Sequence, residues 1–282
     1  MTSMTQIVLG WSAFFASTLV APAEWLKNFF LFHPSSTVDV TPAVYELAYE
    51  DIRFGGENGT LLHGWYIPGP GDIIFIWFHG NGGNIKHRLE HAYLMHTHVG
   101  GSHVLFDYQG YGLSYGRPSI PGIVSDGRAA IRLIQERGWS KGKRLVFFGE
   151  SLGCAVAIAL AVDPALEVRP ERIILEAPFY SLHAMGQDLL LLRPLAFLVK
   201  DDLNSARLIP KLTVPLLVIH GTRDGLVPFQ QGRDLYELAP QPKQFYEIPG
   251  GEHVGLYRIA GQRYFQTIHD FVADELSPGT TE

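Results

Sequence analysis

The sequence predicts an α/β fold, with a mostly parallel central sheet, helices on both faces and a short helical lid. Three observations carry that expectation. Apolar strand-like runs alternate with helix-like segments from residue 73 to residue 275, and a βα alternation buries a parallel sheet on both faces. One of those runs, Ile73–Phe78, is continuously apolar instead of alternating, as a strand covered on both sides requires. Finally, Gly149-Glu150-Ser151-Leu152-Gly153 lies between an apolar strand and a small-residue helix, where a serine at a tight turn needs glycine two places to either side.

In chain order, residues 1–34 form an apolar N-terminal segment and residues 35–282 the folded domain, with a small lid at about 178–210. Residues 1–23 hold no charged side chain, and the run 7–23 lies at the short end of what spans a bilayer. Trp11 and Trp25 bracket it as interfacial aromatics do, so a membrane anchor is the first expectation. A cleaved secretion signal ending near Ala21-Pro22-Ala23 is the second, though the basic start of such a signal is missing. A packed apolar helix is the third.

Residues 49–68 alternate around the turn 55–59 and predict an antiparallel hairpin. Then follow strand 73–78, a glycine-rich loop 79–84, helix 85–98, strand 103–107, helix 124–138, strand 145–148, a helix after Ser151 and strand 172–176. The leucine-rich stretch 189–199 interrupts the alternation as a buried helix pair or a lid. Strand 216–220, helix 230–238, strand 244–248 and a closing helix 260–275 complete the domain, before a frayed tail at 277–282.

The chain has 282 residues, 46% of them hydrophobic and 18% charged, enough for one large core. A formal charge of −6 with no Lys/Arg run argues against a nucleic-acid partner. The single cysteine, Cys154, reads as a packed helix residue.

A serine hydroxyl is a weak nucleophile near neutral pH. It needs a base within hydrogen-bond reach and a carboxylate to hold that base in the right tautomer. After a turn of the Ser151 type these partners come downstream, acid before histidine, each in a loop beyond a strand. Asp224 follows strand 216–220 and His253 follows strand 244–248, so Ser151, Asp224 and His253 are the candidate catalytic residues. The developing oxyanion needs backbone N–H donors, expected from Leu152 and from Asn81 in the loop His79-Gly80-Asn81-Gly82-Gly83. Other carboxylates, Asp107, Asp188, Asp201 and Asp202, rank lower as the acid, and Asp107 is expected to pin its own glycine-rich loop. Phe179, Tyr180, Leu189 and Leu192 are candidate substrate-binding residues, pointing to an apolar acyl substrate.

Two other readings compete. His87-Arg88-Leu89-Glu90-His91 matches an inverted zinc-peptidase pattern, although His87, Glu90 and His91 would also suit a solvated helix face. A non-catalytic binding module of the same fold is the other; such modules usually lack a triad residue, and none is missing here.

Several motifs together resemble one family: Phe78 to Asn84 (Phe-His-Gly-Asn-Gly-Gly-Asn), Asp-Tyr-Gln-Gly-Tyr-Gly-Leu-Ser at 107–114, Gly116-Arg117-Pro118-Ser119, the Ser151 turn, Glu176-Ala177-Pro178-Phe179 and His-Gly-Thr-Arg-Asp at 220–224. Over about residues 49–275 the chain is similar to the α/β-hydrolase superfamily. Within it, the chain resembles the small-lid, membrane-tethered serine hydrolases that include the ABHD-class depalmitoylases and their bacterial and fungal relatives. Phe30-Leu31-Phe32-His33-Pro34 resembles the junction after the apolar N-terminus in that group. The resemblance implies Ser151 as nucleophile, Asp224 as acid and His253 as base, with no metal and no cofactor. It does not fix the substrate; the stretch 189–199, Phe179, Tyr180 and the expected membrane tether point to a small-molecule or lipid-like acyl ester or thioester, with peptide bonds as the alternative.

Overall fold

The computed structural model describes residues 31–188 and 203–273. The uncharged run 7–23, the whole stretch 189–199 with Leu189 and Leu192, and Asp201 and Asp202 lie outside the described residues.

Among the described residues the main sheet has eight strands: β1 (Glu50–Gly55), β2 (Leu61–Ile67), β3 (Ile73–Phe78), β4 (Ser102–Asp107), β5 (Arg144–Glu150), β6 (Arg172–Glu176), β7 (Leu216–Gly221) and β8 (Lys243–Ile248). Their order across the sheet is β1-β2-β4-β3-β5-β6-β7-β8. β1 and β2 form the predicted hairpin, β2 runs antiparallel to β4, and every other neighbouring pair is parallel. All six residues of β3 are buried, as are all six of β7. The chain crosses to β3, between β4 and β5, so β3 and β5 stand at the centre with their carboxyl ends side by side.

The side-chain period of two splits this sheet into two cores. Ile74, Ile76, Phe78, Phe106 and Phe147 face one side, where they meet α2 (Ile120–Glu136) and α3 (Leu152–Ala161). Phe75, Trp77, Leu105, Phe148 and Ile219 face the other, against α1 (Leu89–His98) and the C-terminal helices α7 (Leu256–Ala260) and α8 (Gln262–Ala273). Each such buried aliphatic or aromatic side chain contributes about 1.5–3 kcal/mol by leaving water. Between β6 and β7 lie α4 (Leu182–Asp188) and the one-turn α5 (Ser205–Leu208), and α6 (Phe229–Leu238) follows β7.

Several boundaries differ from the sequence reading, each for a local reason. The helix expected over 124–138 begins at Ile120, because the Ser119 Oγ caps Gly122 N at 3.1 Å and Pro121 is harmless in a first turn. The helix expected over 85–98 starts as a 3-10 turn (Ile85–Arg88), held by a capping box between Asn84 and His87. The closing helix expected from residue 260 begins at Gln262, and an unpredicted short helix, Leu256–Ala260, ends before it where Gly261 turns to φ 58°. Among the described residues, no helix is long and apolar enough to cross a membrane.

Candidate active site

Ser151 sits between β5 and α3 at φ 52°, ψ −113°, a backbone conformation that costs a non-glycine residue of order 1–3 kcal/mol. Its neighbours show why the turn needs glycine. A Cβ on Gly153 would lie 1.8 Å from the Phe78 carbonyl oxygen, and one on Gly149 would lie 2.7 Å from Cys154 Cα. Strand and helix therefore close to backbone contact, and the Ser151 N–H is tied to the Glu176 carbonyl at 2.9 Å. The Cys154 thiol is buried against the carbonyls of Gly149 and Glu176, the packing role expected of it.

The loops after β7 and β8 bring Asp224 and His253 to this turn. The His253 Nε2 lies 3.0 Å from the Ser151 Oγ, and its Nδ1 lies 2.8 Å from the Asp224 Oδ2. With Nδ1–H donating to the carboxylate, Nε2 is the free acceptor for the serine proton. Asp224 is fixed in turn: its Oδ1 accepts from Leu226 N at 2.9 Å and Val227 N at 2.8 Å. Burial works to raise its pKa. Donation from His220 and His253 outweighs that and holds the carboxyl well below the usual carboxylate range.

His220, which the sequence offers only as the first residue of the 220–224 motif, is a further partner of Asp224. It is fully buried, and its Nε2 lies 3.2 Å from the Asp224 Oδ2 and 3.1 Å from the Val227 carbonyl oxygen. Its place at the end of β7, four residues before the acid, was the available signal.

Leu152 N heads α3, where the first backbone N–H groups lack intrahelical acceptors and the helix dipole favours negative charge. Asn81 lies in the loop after β3, its carbonyl oxygen accepting from His33 N at 2.9 Å and from the Tyr111 Oη at 2.7 Å. That loop is joined to the serine turn by an ion pair the sequence did not reveal. The Arg88 guanidinium donates to Glu150 through Nη2 at 2.6 Å and Nε at 3.1 Å, and through Nη1 to the Gly82 carbonyl at 2.7 Å. Burial would raise the Glu150 pKa; the Arg88 charge outweighs it and holds the carboxyl below its ordinary value.

Asp107 does not pin its own loop alone, as the sequence reading had it. Its Oδ1 accepts from Ile85 N at 2.9 Å, so it fastens the segment that follows the Asn81 loop; only its backbone carbonyl takes the Ser114 hydroxyl. Behind the serine, burial and then the Glu150 charge push the Glu176 carboxyl up to about 8, while the Tyr264 hydroxyl donates to it.

Phe179 is buried within the core, and Tyr180 is half-buried with its N–H on the Gln231 side chain at 3.1 Å. The zinc-peptidase residues do not converge. His87 closes the capping box with Asn84, Glu90 is held by Arg258 and Tyr257, and no group of three or more possible metal ligands occurs among the described residues. The solvated face expected there is also wrong at His91, which is buried and stacked on Tyr257 at 4.4 Å, with Trp77 and Phe148 edge-on.

No family model matches the chain. It is 34% identical over 231 residues to protein Rv2307c of Mycobacterium tuberculosis, covering 80% of each chain. It is 32% identical over 258 residues to the alpha/beta hydrolase domain-containing protein WAV2 of Arabidopsis thaliana, covering 84% of this chain and 83% of that one. Among solved structures it superposes on the Pyrococcus furiosus esterase Pf2001 with a TM-score of 0.73 at 20% identity, covering 86% of this chain and 97% of the esterase. With a mostly parallel eight-stranded sheet, a serine at the strained turn after β5 and a relative of this identity and coverage, the chain belongs to the α/β-hydrolase superfamily.

Proposed function

We propose that the protein is a serine hydrolase that cleaves carboxylic ester or thioester bonds of apolar acyl substrates through an acyl-enzyme. The observation that carries this reading is the relay of contacts from the Ser151 Oγ through His253 to Asp224, at 3.0 and 2.8 Å. In this reading Ser151 attacks the acyl carbonyl as His253 Nε2 takes its proton. The Leu152 and Asn81 N–H groups hold the tetrahedral oxygen. His253 then returns the proton to the leaving alcohol or thiol, and a water molecule deacylates the serine by the same route. The buried Asp224 carboxylate, already satisfied on Oδ1, stays ionised and stabilises the imidazolium. Each oxyanion donor contributes roughly a hundredfold or more in rate.

The preference for an apolar acyl group is drawn from Phe179, Tyr180 and the leucine-rich stretch that includes Leu189 and Leu192. Association with a membrane through the uncharged run 7–23 is part of the same proposal and would bring the protein to such substrates. The esterase title of Pf2001 is consistent with ester chemistry on this fold.

The test is a panel of p-nitrophenyl esters, thioesters and peptide amides of graded acyl length, with fluorophosphonate labelling of the native chain and of Ser151→Ala. The expected outcome is ester or thioester turnover with labelling confined to the native protein. Ser151→Ala and His253→Ala should each lower kcat by about a millionfold. Turnover that survives in Ser151→Ala, or that a chelator abolishes, would overturn the proposal.

A further inference from the structure

We propose that Tyr111 and the backbone of residues 33–35 are positioning groups for oxyanion stabilisation, clamping the Asn81 loop from outside it. The inference rests on the serine-hydrolase reading above. The loop Gly80-Asn81-Gly82-Gly83 has three glycines in four residues, so its own side chains give it little conformational restraint. A donor aimed at developing charge is effective only if it is already in place when the charge appears. The restraint must therefore come from neighbours, and two independent segments supply it.

The Tyr111 Oη donates to the Asn81 carbonyl at 2.7 Å from the loop that follows β4. His33 N donates to the same oxygen at 2.9 Å, and Ser35 N donates to the Gly83 carbonyl at 2.9 Å. His33 and Pro34 thus run parallel to Gly82 and Gly83 as a short two-stranded ladder. The segment is held on its other side as well. Gly112 N donates to the Ser35 carbonyl at 2.9 Å, and the Asn84 Nδ2 donates to the Ser35 and Thr37 carbonyls at 2.8 and 2.9 Å. Phe32, just before the ladder, is buried in the main core and anchors it. Tyr111 is itself fully buried, and burial holds its hydroxyl protonated well above the ordinary range, so it remains a donor throughout the working pH range. The clamp made of the 33–35 strand and the Tyr111 hydroxyl therefore fixes the Asn81–Gly82 peptide, and through Asn81 Cα it restrains the preceding peptide that carries the Asn81 N–H, whose Gly80 carbonyl lies 2.7 Å from His79 Nδ1. Neither the strand nor the hydroxyl touches the reacting atoms in this assignment.

The full-length chain and its Tyr111→Phe variant are compared with p-nitrophenyl butyrate as substrate and butaneboronic acid as a tetrahedral adduct former on Ser151. The expected result is a fall in kcat of about tenfold, the loss of one hydrogen bond, with KM within twofold of native. The boronate Ki should rise by the same factor as kcat falls, while the melting transition stays cooperative. A merely structural role would not link kcat to boronate affinity at constant KM. His33→Pro, which removes the other donor to the same carbonyl, is expected to act in the same direction and decides the matter if Tyr111→Phe does not fold. Unchanged kcat and Ki in the folded variant, or a change in KM alone, would overturn the clamp. If Ser151→Ala is inactive while Tyr111→Phe matches the native chain, only the clamp is lost; if Ser151→Ala stays active, the hydrolase reading fails first.

Discussion

Asp224 takes its two backbone N–H donors on one carboxylate oxygen and presents the other to His253 and His220. An amide at that position keeps the backbone bonds while losing the charge that, in the proposed mechanism, stabilises the imidazolium. Asp224→Asn is therefore expected to fold normally, checked by circular dichroism, while kcat falls about ten-thousandfold. At Glu176 the electrostatics act on stability instead. Its carboxyl is raised from an ordinary 4.5 to about 8, so folding favours the neutral form. Its contribution is fully present below pH 4.5 and is lost as pH rises through about 8. Relative to the native chain, Glu176→Gln should thus gain melting temperature steadily between pH 5 and pH 8.5. A constant difference across that range would show that Glu176 is ionised in the folded state. At this scale the sequence was informative where a residue type and its chain position together implied a role, as at Ser151, Asp224 and His253, which the fold brings into contact. It was silent on Arg88 and Glu150, because a part-buried pair separated by 62 positions leaves no local pattern, whereas His220 stood four residues before Asp224.

The Ser151 turn depends on two elements approaching to backbone contact. Gly153→Ala would drive a methyl group to 1.8 Å from the Phe78 carbonyl, an immovable main-chain atom, so α3 and β3 must separate. We expect a loss of about 3 kcal/mol in urea unfolding and a larger loss of activity. The Arg88–Glu150 bridge links α1's leading turn to the same site. Arg88→Met should cost about 2–3 kcal/mol by leaving the part-buried Glu150 without its partner, and Arg88→Met with Glu150→Leu should recover most of it. Strands were legible because continuous apolar runs such as Ile73–Phe78 have few other homes. Helix ends were not, because Pro121 reads as a breaker until Ser119 is seen capping the turn it begins, and because the one-turn helix Leu256–Ala260 is too short to show a period before Gly261 ends it.

For the molecule as a whole, the sheet order brings the carboxyl ends of β3 and β5 together, and with them the Asn81 loop and Ser151. The βα alternation announced a parallel sheet, but strand order is set by the crossings, which periodicity does not encode. The helix pattern also misled on burial. α1 was expected to expose its histidines, yet α7 and α8 pack over it and burial lowers the His91 pKa to about 3. Because the folded state favours neutral His91, its stabilising contribution is present above pH 6.5 and is lost as pH falls toward 3. His91→Phe, which keeps an aromatic ring among Trp77, Phe148 and Tyr257, should therefore lose less melting temperature than the native chain between pH 7 and pH 5.

The acyl-enzyme itself is the most direct point of contact with experiment. Rapid mixing with p-nitrophenyl butyrate, acid quench within the first turnover and peptide mass spectrometry should find one butyryl group on the peptide containing Ser151. Release of p-nitrophenol with no acyl group on Ser151, or with the group on another residue, would contradict the account.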